Sequence, residues 1–258
     1  MPIRLLSHAA CVICRFICSR HAFWLTMRAM NGWQMSLAVG SGKVSQFRPF
    51  EAEFHARGFG CIAGLDEVGR GPLAGPVVAA AVVLPRGFAH REIKDSKLLS
   101  VKQREKLAPL IRESAESWAI GVVDVVEIDR INILRASLLA MVKALDLLNR
   151  KPDCFLIDGN QPIPVQLFGD GASVRYQKTI VKGDRLCLSI AAASIVAKVA
   201  RDKMMVEYDR QFPEYGFAGH KGYGSAAHLA ALRRYGPSPI HRLSYKPVRT
   251  RRWNDEQR

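Results

Sequence analysis

Two apolar runs, residues 61–65 and 77–84, flank a loop dense in Gly and Pro, and this arrangement limits what the chain can fold into. Each run is short enough for a buried strand and too short for a typical helix, so the pair predicts two strands joined by a loop left free for function. Ser100 followed three residues on by Gln103 is a capping-box signature, which predicts a helix from near Val101 toward Glu116, bent at Pro109. Residues 118–126 read as strand. Asn132 can cap a second helix, in which Leu134, Leu138, Met141, Val142, Leu145 and Leu148 recur at helical spacing until Pro152 ends it. Residues 154–157 form a further apolar strand that stops on Asp158, and 162–168 and 176–181 read as short extended pieces. A long helix is expected over 186–208, with small residues at 191–194, and Ser225 opens a last helix closed by Gly236 and Pro237. Alternation of this kind predicts an α/β layer protein with a central mixed sheet flanked by helices.

A composition of 48% hydrophobic and 24% charged residues excludes wholesale disorder and collagen-like architecture. The longest apolar candidate, 72–85, is too short to cross a bilayer and is broken by Gly and Pro, so a membrane-spanning protein is not expected. With 38 Lys and Arg against 23 Asp and Glu the net charge is +15, which makes an anionic partner the first hypothesis, nucleic acid ahead of an acidic membrane surface. The charge is uneven: residues 1–50 contain no Asp or Glu, and Arg4, Arg15, Arg20, Arg28, Lys43 and Arg48 give them +6. The last 26 residues carry Arg233, Arg234, Arg242, Lys246, Arg249, Arg251, Arg252 and Arg258 against Asp255 and Glu256, a basic end that either holds phosphates or is simply solvated.

The expected organisation is therefore an irregular basic extension over 1–55, a folded body over 56–248 and a basic tail over 249–258. Three origins compete for the extension: an organellar transit segment, a poor secretory segment, and an over-extended start with Met27, Met30 or Met35 as the initiator, the last being favoured. Cys11, Cys14, Cys18 and His21 offer four zinc ligands but lack a second ligand pair on a distant element, so incidental thiols are the preferred reading. Scattered Cys61, Cys154 and Cys187 suit a reducing compartment, and a cytoplasmic monomer is expected.

The informative residues in this basic chain are acidic. Asp66 and Glu67 end the first predicted strand, Asp158 ends another, and Asp184 follows Lys182 and Gly183. Functional groups gather at strand ends in open α/β sheets, and carboxylates converging from separate elements suit Mg2+ or Mn2+. Two such ions about 3.5–4 Å apart can activate a water and stabilise the leaving oxygen of a phosphodiester. For any one of the four, ordinary turn chemistry is the competing account. Neighbouring side chains on a regular strand face opposite ways, so Asp66 and Glu67 share a site only if the strand ends or bulges there, which Gly69 would permit. The loop Gly69-Arg70-Gly71-Pro72 lacks the Gly-Lys-Ser/Thr ending of a nucleotide P-loop, but its unobstructed backbone can approach a sugar-phosphate chain closely.

The blocks GLDEVGRGPLAGPVVAAAVVL at 64–84, KDSK at 94–97, EIDRINI at 127–133, LIDGN at 156–160, VKGD at 181–184, AAASIVAKVARD at 191–202, HKGYG at 220–224 and HRLSY at 241–245 resemble, in order, those of ribonuclease HII. The resemblance implies an RNase H-like fold with a C-terminal helical region. It also implies endonucleolytic cleavage of the RNA strand of RNA-DNA hybrids and nicking 5′ of ribonucleotides embedded in duplex DNA, leaving 3′-hydroxyl and 5′-phosphate ends. By position Asp66, Glu67, Asp158 and Asp184 match the family's catalytic carboxylates, the first three as ligands of Mn2+ or Mg2+. Gly69, Arg70 and Gly71 match the loop that reads the 2′-hydroxyl, the group that marks a ribonucleotide among deoxynucleotides, and Tyr223 matches a tyrosine against the sugar.

Lys182 and Arg185, and Lys198 and Arg201 on the long helix, are weaker candidates for phosphate contact, with a solvated face as the alternative. Asp202 reads as structural, and His220 and His241 as sugar-phosphate contacts or packing. The related ribonuclease HIII carries a structured N-terminal domain for which residues 1–55 are too short. A non-catalytic nucleic-acid-binding protein of the same fold would be expected to have lost a carboxylate, and all four are present.

Overall fold

Strand-forming residues set the centre of the molecule. In the computed structural model, which describes residues 47–169 and 176–249, the two apolar runs are β1 (Ile62–Val68) and β2 (Val77–Val83). The suggested zinc ligands Cys11, Cys14, Cys18 and His21, the alternative starts Met27, Met30 and Met35, and the tail from 250 onward lie outside the described residues. β2 is Val-Val-Ala-Ala-Ala-Val-Val and buried along its whole length, as a strand covered on both faces must be. With β3 (Ser117–Val123), β4 (Cys154–Asp158) and β5 (Tyr176–Ile180) it makes a five-stranded sheet in the order β3-β2-β1-β4-β5. β1, β2 and β3 pair antiparallel, whereas β4 lies parallel to both β1 and β5.

Period-two alternation divides the strands between two cores. Ala63, Leu65, Ala79, Ala81, Phe155 and Ile157 pack with α4 (Ile133–Asp146), including Met141 and Leu145. Ala80 and Val82 pack on the other face with α2 (Val101–Ser114) and the 24-residue α6 (Leu188–Gln211), through Leu107, Ile111, Ile195 and Val196. On that same face Ile62, Cys154 and Leu156 meet Ile190 of α6 and Phe54 of α1 (Phe50–Ala56). Each fully buried large side chain, Phe155 or Leu65 for instance, contributes roughly 1.5–3 kcal/mol. Close approach is enforced by glycine: a Cβ at Gly64 would overlap the Ser189 backbone of α6, and one at Gly121 would overlap the Ala140 carbonyl of α4.

The capping box at Ser100 and Gln103 forms as the sequence predicts, and Asn132 accepts from the Arg135 amide at the head of α4. Four expectations are corrected. The strand expected over 118–126 stops at Val123, because the Asp124 side chain accepts from the Glu127 amide and starts α3 (Val125–Ile131). Residues 165–168 form a 3-10 turn instead of an extended piece. Residues 50–55, assigned to an irregular extension, are helical in α1, where Phe54 is buried and Glu51 accepts from the Ser189 amide at the start of α6. β1 runs on past Asp66 to Val68.

Beyond α5 (Gly183–Leu186) and α6, the chain turns through α7 (Phe217–His220), α8 (Ala226–Tyr235) and α9 (Lys246–Arg249). This helical region packs Tyr215, Phe217, Leu232 and Ile240 around Leu73 and Ala74 of the β1–β2 loop. Backbone bonds join the two: Leu73 N to Gly222 O at 2.8 Å, Gly75 N to Ile240 O at 2.8 Å, and Arg242 N to Leu73 O at 2.8 Å. Among the described residues no helix is long and apolar enough to cross a membrane.

Candidate active site

Strand parity decides which carboxylates meet. Asp66 shares its face with Ile62, and Asp158 shares its face with Cys154 and Leu156, so both point to the α6 side, Asp158 from the end of β4 and Asp66 from within the adjacent, parallel β1. The β1–β4 pairing stops at Leu65 and Ile157, which leaves Asp66 and Asp158 just beyond the ladder. Asp184 enters from α5, where Gly183 donates its amide to Asp158 Oδ1 at 2.7 Å. Burial first, and then the charges of Glu67, Asp158 and Asp184, push the Asp66 carboxyl well above the ordinary range, with Ser194 of α6 as a bonded neighbour pulling it down. Burial likewise raises Asp158, against the pull of the Gly183 amide, and Asp184 adds to the rise.

Glu67 departs from expectation. β1 neither ends nor bulges at this residue and its register with Ala79 of β2 is regular, so alternation starts the Asp66 and Glu67 side chains from opposite faces. After burial, however, the Glu67 charge is the largest one acting on Asp66, which keeps the Glu67 carboxylate within reach of the acids without a bulge. Its carboxylate pairs with Arg70 Nη1 at 3.1 Å, and it remains close enough to Asp158 for that charge, added to burial, to raise it despite Arg70.

Among the described residues, Arg70 pairs with Glu67, and Lys97 Nζ lies 3.3 Å from Asp184 Oδ2. Among the described residues no three His, Cys, Asp or Glu side chains are already drawn into a metal cage. The donor set nevertheless suits a hard divalent cation, being all oxygen, partly buried and mutually repelling, with charge that a cation would neutralise. Lys97 and Ser194 were not singled out by sequence reasoning. Lys97 meets Asp184 from 87 positions away, a separation that no local pattern reports.

The Gly-Arg-Gly loop is held from beneath by two arginines that are 0% exposed. Arg242 donates to the carbonyls of Gly69 at 2.6 Å, Arg70 at 3.0 Å and Gly75 at 2.8 Å. Arg201 donates to Pro76 at 3.0 Å, Ala74 at 3.1 Å and Lys221 at 3.0 Å. Because a trans peptide sets its C=O and N–H on opposite sides, turning the Gly69 and Arg70 carbonyls inward turns the Arg70 and Gly71 amides outward. Gly69 has φ +94°, and a Cβ there would strike the Arg201 side chain. Burial, then the charge of Arg242, lowers Arg201 to about 10, so it stays charged at neutral pH. The phosphate role and the solvated face considered for Arg201 are both overturned, since a buried side chain reaches neither.

Tyr223 is 46% exposed and lies against the loop, its Cε1 3.6 Å from where a Cβ on Gly71 would stand. Lys182 is exposed in a left-handed conformation at φ 60°, beside the acids, and Arg185 gives its Nε to Asp95 at 2.8 Å. Lys198 pairs with Asp202 at 2.7 Å, in keeping with a structural Asp202. His241 is buried, which leaves packing of its two readings, whereas His220 is half-buried.

Residues 63–248 match the family described as Ribonuclease HII. A curated relative of that name from Syntrophotalea carbinolica is 54% identical over 200 residues, which is 78% of this chain and 92% of the relative. Another from Geobacter sulfurreducens is 52% identical over 200 residues, 78% of this chain and 88% of the relative. The crystal structure of ribonuclease H2 from Pyrococcus horikoshii matches with a TM-score of 0.61 at 29% identity, over 74% of this chain and 96% of that one.

Proposed function

The chain belongs to the ribonuclease HII family, a metal-dependent ribonuclease acting on RNA-DNA hybrids, and from that premise we propose how its residues divide the work. Asp66, Glu67 and Asp158 hold Mg2+ or Mn2+, and Asp184 completes the acidic cluster as a catalytic carboxylate. When bound, the ions supply Lewis acidity at the scissile phosphodiester and lower the pKa of water. Two ions, the use of embedded ribonucleotides as substrate, and cleavage on their 5′ side to leave 3′-hydroxyl and 5′-phosphate ends all belong to this reading.

The observation that carries it is the placement of Asp66 and Asp158 on one sheet face, beside a loop whose amides are turned outward by the buried Arg242. Outward amides at Arg70 and Gly71 can receive a ribose 2′-hydroxyl, which a deoxynucleotide lacks. Tyr223 packs the sugar from the other side of Gly71. Exposed Lys182 gives the phosphate backbone a cation next to the carboxylates, while Arg185 keeps a contact with Asp95 and offers the rest of its guanidinium.

The direct test is cleavage of end-labelled duplex DNA containing one ribonucleotide, with Mg2+, with Mn2+ and with EDTA, resolved to the nucleotide. Metal-dependent cutting immediately 5′ of the ribonucleotide is expected. Binding without cutting in either metal would instead favour a non-catalytic protein. Tyr223→Ala should lower kcat/KM on this duplex by about tenfold, the upper worth of a neutral hydrogen bond, with a smaller loss on a long hybrid. Equal losses on both substrates would remove Tyr223 from sugar recognition.

A further inference from the structure

Three histidines stand behind Tyr223 in a chain whose proton positions are dictated by its ends. Ser238 N donates to His241 Nδ1 at 2.9 Å, and Ser238 Oγ lies 2.8 Å from the same nitrogen. A backbone N–H has no choice but to donate, so Nδ1 of His241 is an acceptor and its ring proton sits on Nε2. That Nε2 is 2.9 Å from His228 Nε2, which must therefore accept, leaving the His228 proton on Nδ1. His228 Nδ1 is in turn 2.8 Å from the Tyr223 carbonyl, which can only accept. His220 obeys the same logic: the Gly222 amide donates to its Nδ1 at 3.2 Å, and its Nε2 faces the Tyr215 carbonyl at 2.8 Å.

Every link is consistent with three neutral rings. His228 is 0% exposed and His241 2%, so neither exchanges its partner for water. His220 stacks on His228 with centroids 4.4 Å apart and planes at 11°. Burial depresses both buried histidines, His241 to about 4, which keeps them uncharged near neutral pH. The terminus of the chain is the backbone of an exposed residue: Tyr223 also receives the Ser225 amide on its carbonyl at 2.8 Å and gives its own amide to His220 O at 2.9 Å. The adjoining Gly222 carbonyl takes the Leu73 amide of the β1–β2 loop at 2.8 Å.

We infer that Ser238, His241 and His228 form a proton-ordered relay that positions Tyr223 against the Gly-Arg-Gly loop and so sets affinity for the ribonucleotide. His228 and His241 touch no substrate in this account and are positioning residues. The inference rests on the reading of Tyr223 as a sugar contact.

The test uses the full-length protein. Long-range 1H–15N spectra of the metal-free protein near neutral pH should show His241 and His220 as Nε2–H forms and His228 as the Nδ1–H form. An imidazolium at either buried ring, or the reverse proton order, would overturn the relay, and this readout needs no variant. His228→Leu removes the donor to Tyr223, and His228→Asn restores one where Nδ1 stood. With the single-ribonucleotide duplex, KM should rise about tenfold in His228→Leu with kcat little changed, and His228→Asn should recover most of it.

Tyr223→Ala, measured alone and combined with His228→Leu, separates the two ways of failing. An unchanged KM in Tyr223→Ala removes the substrate role of Tyr223, and the relay's purpose with it. A raised KM in Tyr223→Ala with an unchanged KM in His228→Leu leaves Tyr223 in place and refutes the relay alone. The double variant should lose no more than Tyr223→Ala does. If His228→Leu does not fold, His228→Asn against Tyr223→Ala and the wild-type tautomers decide.

Discussion

Asp66→Asn should cut a ribonucleotide-containing duplex at least about a thousandfold more slowly while binding it almost as before, because a loss of roughly 4 kcal/mol of transition-state charge stabilisation corresponds to that factor. The amide keeps the size of the side chain but has no charge to offer a divalent cation. The same variant should be more stable than the parent when metal is absent. Asp66 is held well above its unfolded value near 3.8, so the folded protein keeps a proton that the unfolded chain releases. Stability conferred by that proton is complete below pH 3.8, declines as pH rises toward the raised folded value, and stays lost above it. Asn carries no such loss. In EDTA at about pH 8 the variant should melt higher than the parent, and the gap should close on acidification toward about pH 4. Substantial residual cleavage would remove Asp66 from catalysis, and identical melting curves at both pH values would contradict its burial as a charged group.

Arg242→Met should be the most damaging single change away from the acids. It strands the carbonyls of Gly69 and Gly75, each worth about 1–3 kcal/mol when buried and unpaired, and leaves the Arg70 carbonyl to the Tyr245 hydroxyl at 2.6 Å. Removing a buried charge gives some of this back, so a net loss of about 3 kcal/mol is expected in urea unfolding. Cleavage measured well below the melting temperature should fall with it, since the Arg70 and Gly71 amides lose the constraint that faces them outward. Arg242→Lys keeps the charge but cannot span three carbonyls, and should rescue little. Normal cleavage by a destabilised Arg242→Met would show that the loop keeps its shape without the fork.

The fold was legible in sequence wherever a local signal dominates. Ser100 with Gln103, Asn132, Ser225 and the all-apolar β2 each declare themselves within a few residues. The Asp124 cap is local too, but the apolar run that surrounds it carries the period of a strand, and the two signals compete at the same residues. The carboxylates stood out because acids at strand ends are conspicuous in a basic chain, yet the side on which each lies depends on register, and Glu67 is turned by a strand that continues two positions beyond Asp66. Arg201 was read as a surface cation from its helix spacing. Its burial follows from carbonyls supplied by a loop 125 and 127 positions away, and from Gly69, which leaves room for it. Lys97 and the histidine relay are equally non-local, and chemistry alone does not say which polar groups will meet.

The order of strands also bears on how an active molecule comes into being. β1 finds β2 directly across the Gly-Pro loop, so this antiparallel pairing has little loop entropy to overcome, and β3 adds to β2 once α2 has been laid down. Its other neighbour, β4, arrives only after α2, β3, α3 and α4 have been laid down, and distant parallel pairing of this kind is slow. Asp66 sits on the early partner and Asp158 on the late one. The Asp66–Asp158 pair is therefore complete only once β4 has joined β1, and a chain that has formed only its first three strands has not yet brought the two carboxylates together.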